Sequence, residues 1–217
     1  MKDPRNYLRH FNGRGIILGE AEVSKETRLA RTAVAKGSSE IRDANIIGYT
    51  TIQDNALVLG GTVKDSLIGG NSVISGVPYI NNSIINGRMV TGNAILFNAA
   101  VTGSAVVADY AVVLGKSLDE PIVITDSARV YGTAKLIGSF TVSGDIRISS
   151  GEWNRCPRHL DLGFVSVTES KLGCMVDCCE RRVEYWLTHG PKLARRWGWT
   201  EREINKALDA VRFVCSK

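Results

Sequence analysis

The sequence predicts a mainly-β chain whose centre is a single-stranded parallel β-helix of about seven 16–17-residue coils, followed by a small helical C-terminal module. Three observations carry this. A small residue, any residue, an aliphatic one and then a turn residue recur every five or six positions between residues 21 and 150. The clearest copies, Ala94-Ile95-Leu96-Phe97-Asn98, Ala111-Val112-Val113-Leu114-Gly115 and Ala128-Arg129-Val130-Tyr131-Gly132, are evenly spaced along the chain. Glycines fall mostly between the units, where left-handed backbone is needed at corners. The short period sets strands joined by tight turns, and the longer interval between copies sets three strands per stacked coil.

The elements follow in order. Residues 1–20 form an N-terminal cap, 21–150 the β-helix and 151–217 an α-rich module. Residues i and i+2 of a strand share a side. Ala128 with Val130, Ala134 with Leu136, Phe140 with Val142 and Ile146 with Ile148 therefore face inward. Arg129, Tyr131 and Arg147 face out. Earlier units start at 45, 50, 56, 61, 66, 72, 78, 83, 88, 94, 99, 105 and 111. The stretch from Lys116 to Pro121 exceeds the repeat and reads as an outward excursion. A coil of three strict hexapeptides is the left-handed form, and the slightly shorter coils read here lean toward the right-handed one.

Hydrophobic residues make up 44% of the 217, and the formal net charge is +5. The charge divides as +2 over residues 1–20, zero over 21–150 and +3 over 151–217. So small a basic excess is a weak argument for nucleic acid. The chain lacks an apolar run of the ~18 residues that a membrane span needs. Met1-Lys2-Asp3-Pro4-Arg5-Asn6 is not a signal peptide, and the cytoplasm is the expected compartment.

All four tryptophans and all five cysteines lie after residue 150. Residues 164–168 read as one more strand. Residues 178–189 read as a helix with Val183, Trp186 and Leu187 on one face, broken at Gly190-Pro191. A short helix over 192–197 follows, and Thr200 with Glu203 makes a capping box for the last one. Its apolar stripe is Ile204, Leu208, Val211 and Cys215, with Phe213 opposite.

Two chemistries compete with a plain cap here. Cys156-Pro157-Arg158-His159 has CxxH spacing, and Cys174 with Cys178 or Cys179 adds thiolates for a tetrahedral zinc site. Buried, reduced cysteines are the simpler reading, so no cofactor is expected and zinc is the alternative. Residues 193–200 and the following helix, with Arg202 and Lys206, have helix-turn-helix form. Glu201, Glu203 and Asp209 on that helix would repel phosphates, so nucleic-acid binding ranks last.

The stretch Ser127-Ala128-Arg129-Val130-Tyr131-Gly132-Thr133-Ala134 resembles the repeat of bacterial hexapeptide-type β-helix proteins. It is similar above all to the polymer-forming bactofilin-like group and to prophage β-helix proteins labelled as transferases. The resemblance covers roughly residues 15–150, and the helical tail is similar to that of some phage-encoded members. It implies one enzyme hypothesis, a trimeric CoA-dependent acyltransferase with a histidine base. Of His10, His159 and His189 none lies within 21–150, which leaves His159 as the catalytic candidate. Asp109, Glu120 and Asp126 carry no distinguishing mark. The resemblance also implies assembly, and a phage-derived member would occlude a host protein.

The resulting expectation is a non-enzymatic protein that binds a protein partner or itself, as a dimer or trimer. Outward residues one coil apart should stack, Ile95 on Val112 and Phe97 on Leu114 and Tyr131, into an apolar patch. Arg195, Arg196, Trp197 and Trp199 on the tail complete the candidate contact surface.

Overall fold

A computed structural model describes residues 7–177 and 179–216. Parallel strands stack into a β-solenoid of about eight turns, followed by two C-terminal helices. The first face runs from Ile16–Leu18 to Thr141–Val142, the second from Arg28–Leu29 to Glu152–Trp153, and the third from Glu22–Val23 to Arg147–Ile148. The second and third faces hold eight strands each, one more layer than the seven coils expected, and the first holds nine. Its extra strand, Tyr7–Arg9, pairs antiparallel with Ile16–Leu18 and closes the N-terminal end.

The small-x-aliphatic unit does what its spacing dictates. Ala94 with Leu96, Ala111 with Val113, and Ala128 with Val130 are fully buried, and most of their counterparts along the three faces are buried too, whereas Phe140, expected to face inward, is only partly buried. Two unit starts need correction. The inward pair begins at Ala44 and Ile46 rather than at 45, and Arg88 at the start of another unit is exposed. In each case a one-residue step at the corner shifts the strand, since only the apolar alternative can enter a dry core.

Before the excursion the coils are nearly uniform in length: Glu22 pairs with Glu40, Leu57 with Val73 and Ile95 with Val112. Beyond it Ala100 pairs with Val123 and Val112 with Lys135, so one turn is longer by the length of the excursion. Corners are turned by Asp and Asn as well as by glycine. Asp54, Asp65, Asn82, Asn98, Asp109 and Asp126 all take positive φ. Asp54, Asp109 and Asp126 each accept the N–H of a glycine one coil on, at 3.0 Å. Short polar side chains tolerate this backbone because they bond locally.

Beyond Trp153 lies a second core. Four antiparallel strands, His159–Asp161, Ser166–Glu169, Cys174–Val176 and Cys179–Arg181, form a meander, where the sequence had shown only one strand. Helix α1 (Val183–Arg196) and helix α2 (Glu201–Val214) pack on it. Helix α1 is continuous across the expected break. Pro191 removes the N–H that would reach the Leu187 carbonyl. Burial of Trp186, Gly190 and Ala194 at i, i+4 and i+8 outweighs that loss. The buried face of α2 is Ile204, Ala207, Ala210, Val211 and Val214, rotated from the expected stripe, while Phe213 is exposed on the opposite side. The Thr200–Glu203 capping box is present. Among the described residues no helix is long and apolar enough to cross a membrane.

Candidate functional site

The second face carries the apolar column that the repeat predicts. Ile95 stands on Val112 and Phe97 on Leu114 in register. The Tyr79 ring lies 5.5 Å from that of Phe97, and Ile137 continues the column beyond Leu114. Tyr131 is not part of it. The excursion makes Ile137 the neighbour of Leu114, and Tyr131 follows the Arg129–Val130 strand on the third face. Lys135 and Glu152, paired at 2.9 Å, close the column at its C-terminal end. The first face has an uncharged outward row, with Leu67 37% and Ile84 43% exposed.

The seam between solenoid and module holds most of the remaining polar chemistry. His159 is held from both sides: Nδ1 lies 2.8 Å from Thr168 Oγ1 and Nε2 lies 2.6 Å from Asp145 Oδ1. The Asp145 contact is close but poorly aligned as a hydrogen bond. With its side chain only 14% exposed and both nitrogens engaged, His159 works as a bracket tying the meander to the last coil. A general base needs a nitrogen free to face its substrate. His10 likewise has both nitrogens 3.1 Å from backbone carbonyls, and His189 stacks on Tyr185. Asp109 and Asp126 are corner residues, and Glu120 pairs with Lys116 at 3.1 Å.

A second bracket centres on Glu169. It accepts two bonds from Arg155, at 2.9 and 2.8 Å, and the Arg158 N–H at 3.0 Å. Burial alone would raise this carboxyl. The Arg155 hydrogen bonds, the Arg158 N–H and both guanidinium charges outweigh it and hold the group below its ordinary value of 4.5. A depressed folded value contributes stability above the unfolded value that is lost as pH falls through the folded one. Glu169→Gln should therefore cost roughly 1 kcal/mol at neutral pH. The gap between its melting temperature and that of the parent should close below pH 4.5, and a gap that persists in acid would show packing rather than charge at work.

Among the described residues the candidate cysteines and His159 do not come together as a ligand set. Cys156 packs against the solenoid core, and Cys174 is buried in the second core. Cys178 lies outside the described residues. Cys174 shares a thiol hydrogen bond with Cys215, which together with burial pushes it well above the ordinary range and lowers Cys215. Among the described residues no group of three or more potential metal ligands converges. On the tail, Arg195 is committed to Glu201 at 2.6 and 3.1 Å, and Trp199 packs edge-on against Phe164. Arg196 and Trp197, the latter 52% exposed, remain presented to solvent. Sequence reasoning missed Asp145, Thr168, Glu169 and Lys171, whose Nζ lies 4.2 Å from the centroid of the Trp153 ring, because a solenoid corner, a loop and short unrepeated strands carry no period that would place them.

No family model matches this chain, and no curated protein matches it. Among solved structures it is similar to a Bacillus cereus protein described as a "putative acetyltransferase". Identity is 14%, with 90% of this chain and 92% of that one covered at a TM-score of 0.27.

Proposed function

We propose that this chain is a non-catalytic binding scaffold that engages a partner protein, or a further copy of itself, through the faces of the solenoid. The observation that supports this best is the apolar column of Tyr79, Ile95, Phe97, Val112, Leu114 and Ile137 on the second face. Aromatic and aliphatic groups on a rigid sheet lose little entropy on binding, and contiguous apolar patches mark interaction sites. Association through faces also suits the ends. The N-terminal hairpin closes one end, and the module, through its contacts with Asp145, Ser149 and Trp153, sits on the other. Head-to-tail stacking of bactofilin type would require displacing both.

Native mass spectrometry of the purified protein with and without CoA tests this reading. The expected result is a species whose mass CoA leaves unchanged, and Phe97→Asp should weaken capture of any partner at least about tenfold. A trimer that takes up CoA would replace the scaffold reading with acyl transfer.

A further inference from the structure

The third face has a charge pattern that the other two lack. Its outward column, one residue per coil in parallel register, begins with Glu22 on Glu40 and ends with Arg129 on Arg147. Between them stand Leu57, Val73, Met89 and Val106, each half-buried. Like charges directly opposite one another on adjacent strands repel. This face contains two such steps, acidic at one end and basic at the other. Among the described residues neither Arg129, Arg147 nor Glu22 makes an ion pair, while Glu40 pairs with Arg42 on its own strand.

The column is complementary to its own reversal. Turned end for end it sets Glu22 against Arg147, Glu40 against Arg129, Leu57 against Val106 and Val73 against Met89. The next outward column, two residues along each strand, reverses equally well. It sets Arg42 against Tyr131, Leu59 against Ala108 and Ser75 against Thr91, and Leu59 is among the exposed large apolar residues.

We propose that the third face is the interface of a two-fold homodimer whose solenoid axes run antiparallel. It rests on the binding-scaffold reading and names one occupant, a second copy, on a face other than the apolar column. Only a two-fold axis lying in the interface along the strand direction produces this reversal. An axis along the solenoid would bring Glu22 to Glu22 and Arg147 to Arg147, and charge rejects it. Eight strands at ~4.8 Å spacing make the column about 34 Å long. A side of five to six residues is about 18 Å wide, so each copy would bury on the order of 600 Å². That sits at the lower edge of stable interfaces, so the dimer should be salt-sensitive and of micromolar strength.

Charge reversal tests it. One variant carries Glu22→Arg and Glu40→Arg, and the other carries Arg129→Glu and Arg147→Glu. The parent should be a dimer by light scattering at tens of micromolar and dissociate as salt rises. Each variant alone should be a monomer, with a dimer fraction down at least about tenfold. Mixed in equal amounts, the two should form a one-to-one heterodimer in native mass spectrometry, because every repulsive contact becomes attractive. The heterodimer also proves that both variants fold. A monomeric parent, variants that remain dimeric alone, or a mixture that stays monomeric would each overturn the proposal. Those outcomes leave the second-face reading intact, since CoA binding and Phe97→Asp judge it separately.

Discussion

Gly115→Ala should destabilise the chain by about 3 kcal/mol, lowering the melting temperature by roughly 10 °C for a domain of this size. The glycine ends the Val112–Gly115 strand, where the excursion leaves the solenoid. A Cβ there would overlap the Asn98 carbonyl oxygen and lie 2.9 Å from the Ile122 amide nitrogen. Those two atoms bond one another at 3.3 Å and reconnect the chain to the preceding coil after the excursion. Both obstacles are backbone, one at the Asn98 corner and the other at the start of the Ile122–Ile124 strand, so neither can yield without breaking the bond that joins them. Gly144→Ala is the control. Its φ is +70° but nothing lies within 4 Å of the added methyl, so only the cost of left-handed backbone, ~1 kcal/mol, should appear. Thermal unfolding of the two variants decides the matter. If Gly115→Ala costs no more than Gly144→Ala, the strand end has room to move and the close approach is not a constraint.

That contrast shows what the sequence makes legible. The short period of the repeat placed Ala94, Leu96, Ala111 and Val113 inside because alternation in a strand leaves no other arrangement. It also placed the excursion, since the stretch 116–121 exceeds the repeat. The consequence of the excursion was harder to see. Continuing the even interval of the earlier coils from Leu114 lands on Tyr131, whereas the longer turn carries the ladder to Ile137. One insertion moved a predicted contact to another face. Corners were half legible. Glycine announced some, but Asp109 and Asp126, read as candidate acids without distinguishing marks, bond the next coil's glycine and hold positive φ.

The module after residue 153 was less legible for a physical reason. Its strands are as short as those of the solenoid but do not repeat, so alternation in any one of them does not exceed chance, and their register is set by tertiary contacts such as Trp186 Nε1 to the Cys174 carbonyl at 3.0 Å. The break expected at Gly190-Pro191 followed local propensity, which burial of Trp186 and Ala194 overrides. The candidate binding column fared better, because four of its residues lie in the regular repeat. The paired charges of the third face were in the sequence too, but only the observed register, which sets Glu22 beside Glu40 and Arg129 beside Arg147, aligns them.

Trp153→Ala should be the most damaging truncation in the chain, at about 3–5 kcal/mol. Trp153 is 2% exposed, lies in register on Leu136, and belongs to the solenoid core rather than to that of the module. Its indole N–H donates to the Ser150 carbonyl at 2.9 Å, and Lys171 Nζ sits 4.2 Å from the ring centroid. The residue therefore closes the last coil and receives the meander at once. In a solenoid each coil is stabilised mainly by its neighbours, so a defect at the end should fray inward rather than melt the whole stack. Hydrogen exchange should show protection lost over residues 135–153 and retained over 45–100, while the module core around Trp186 and Val211 keeps its own protection. Lys171→Met separates the two roles: it removes the cation above the ring at a cost of about 1 kcal/mol and should loosen the seam without fraying the coil. Uniform loss of protection from residue 29 onward in Trp153→Ala would instead mean that the stack folds as one cooperative unit, with Trp153 required for all of it.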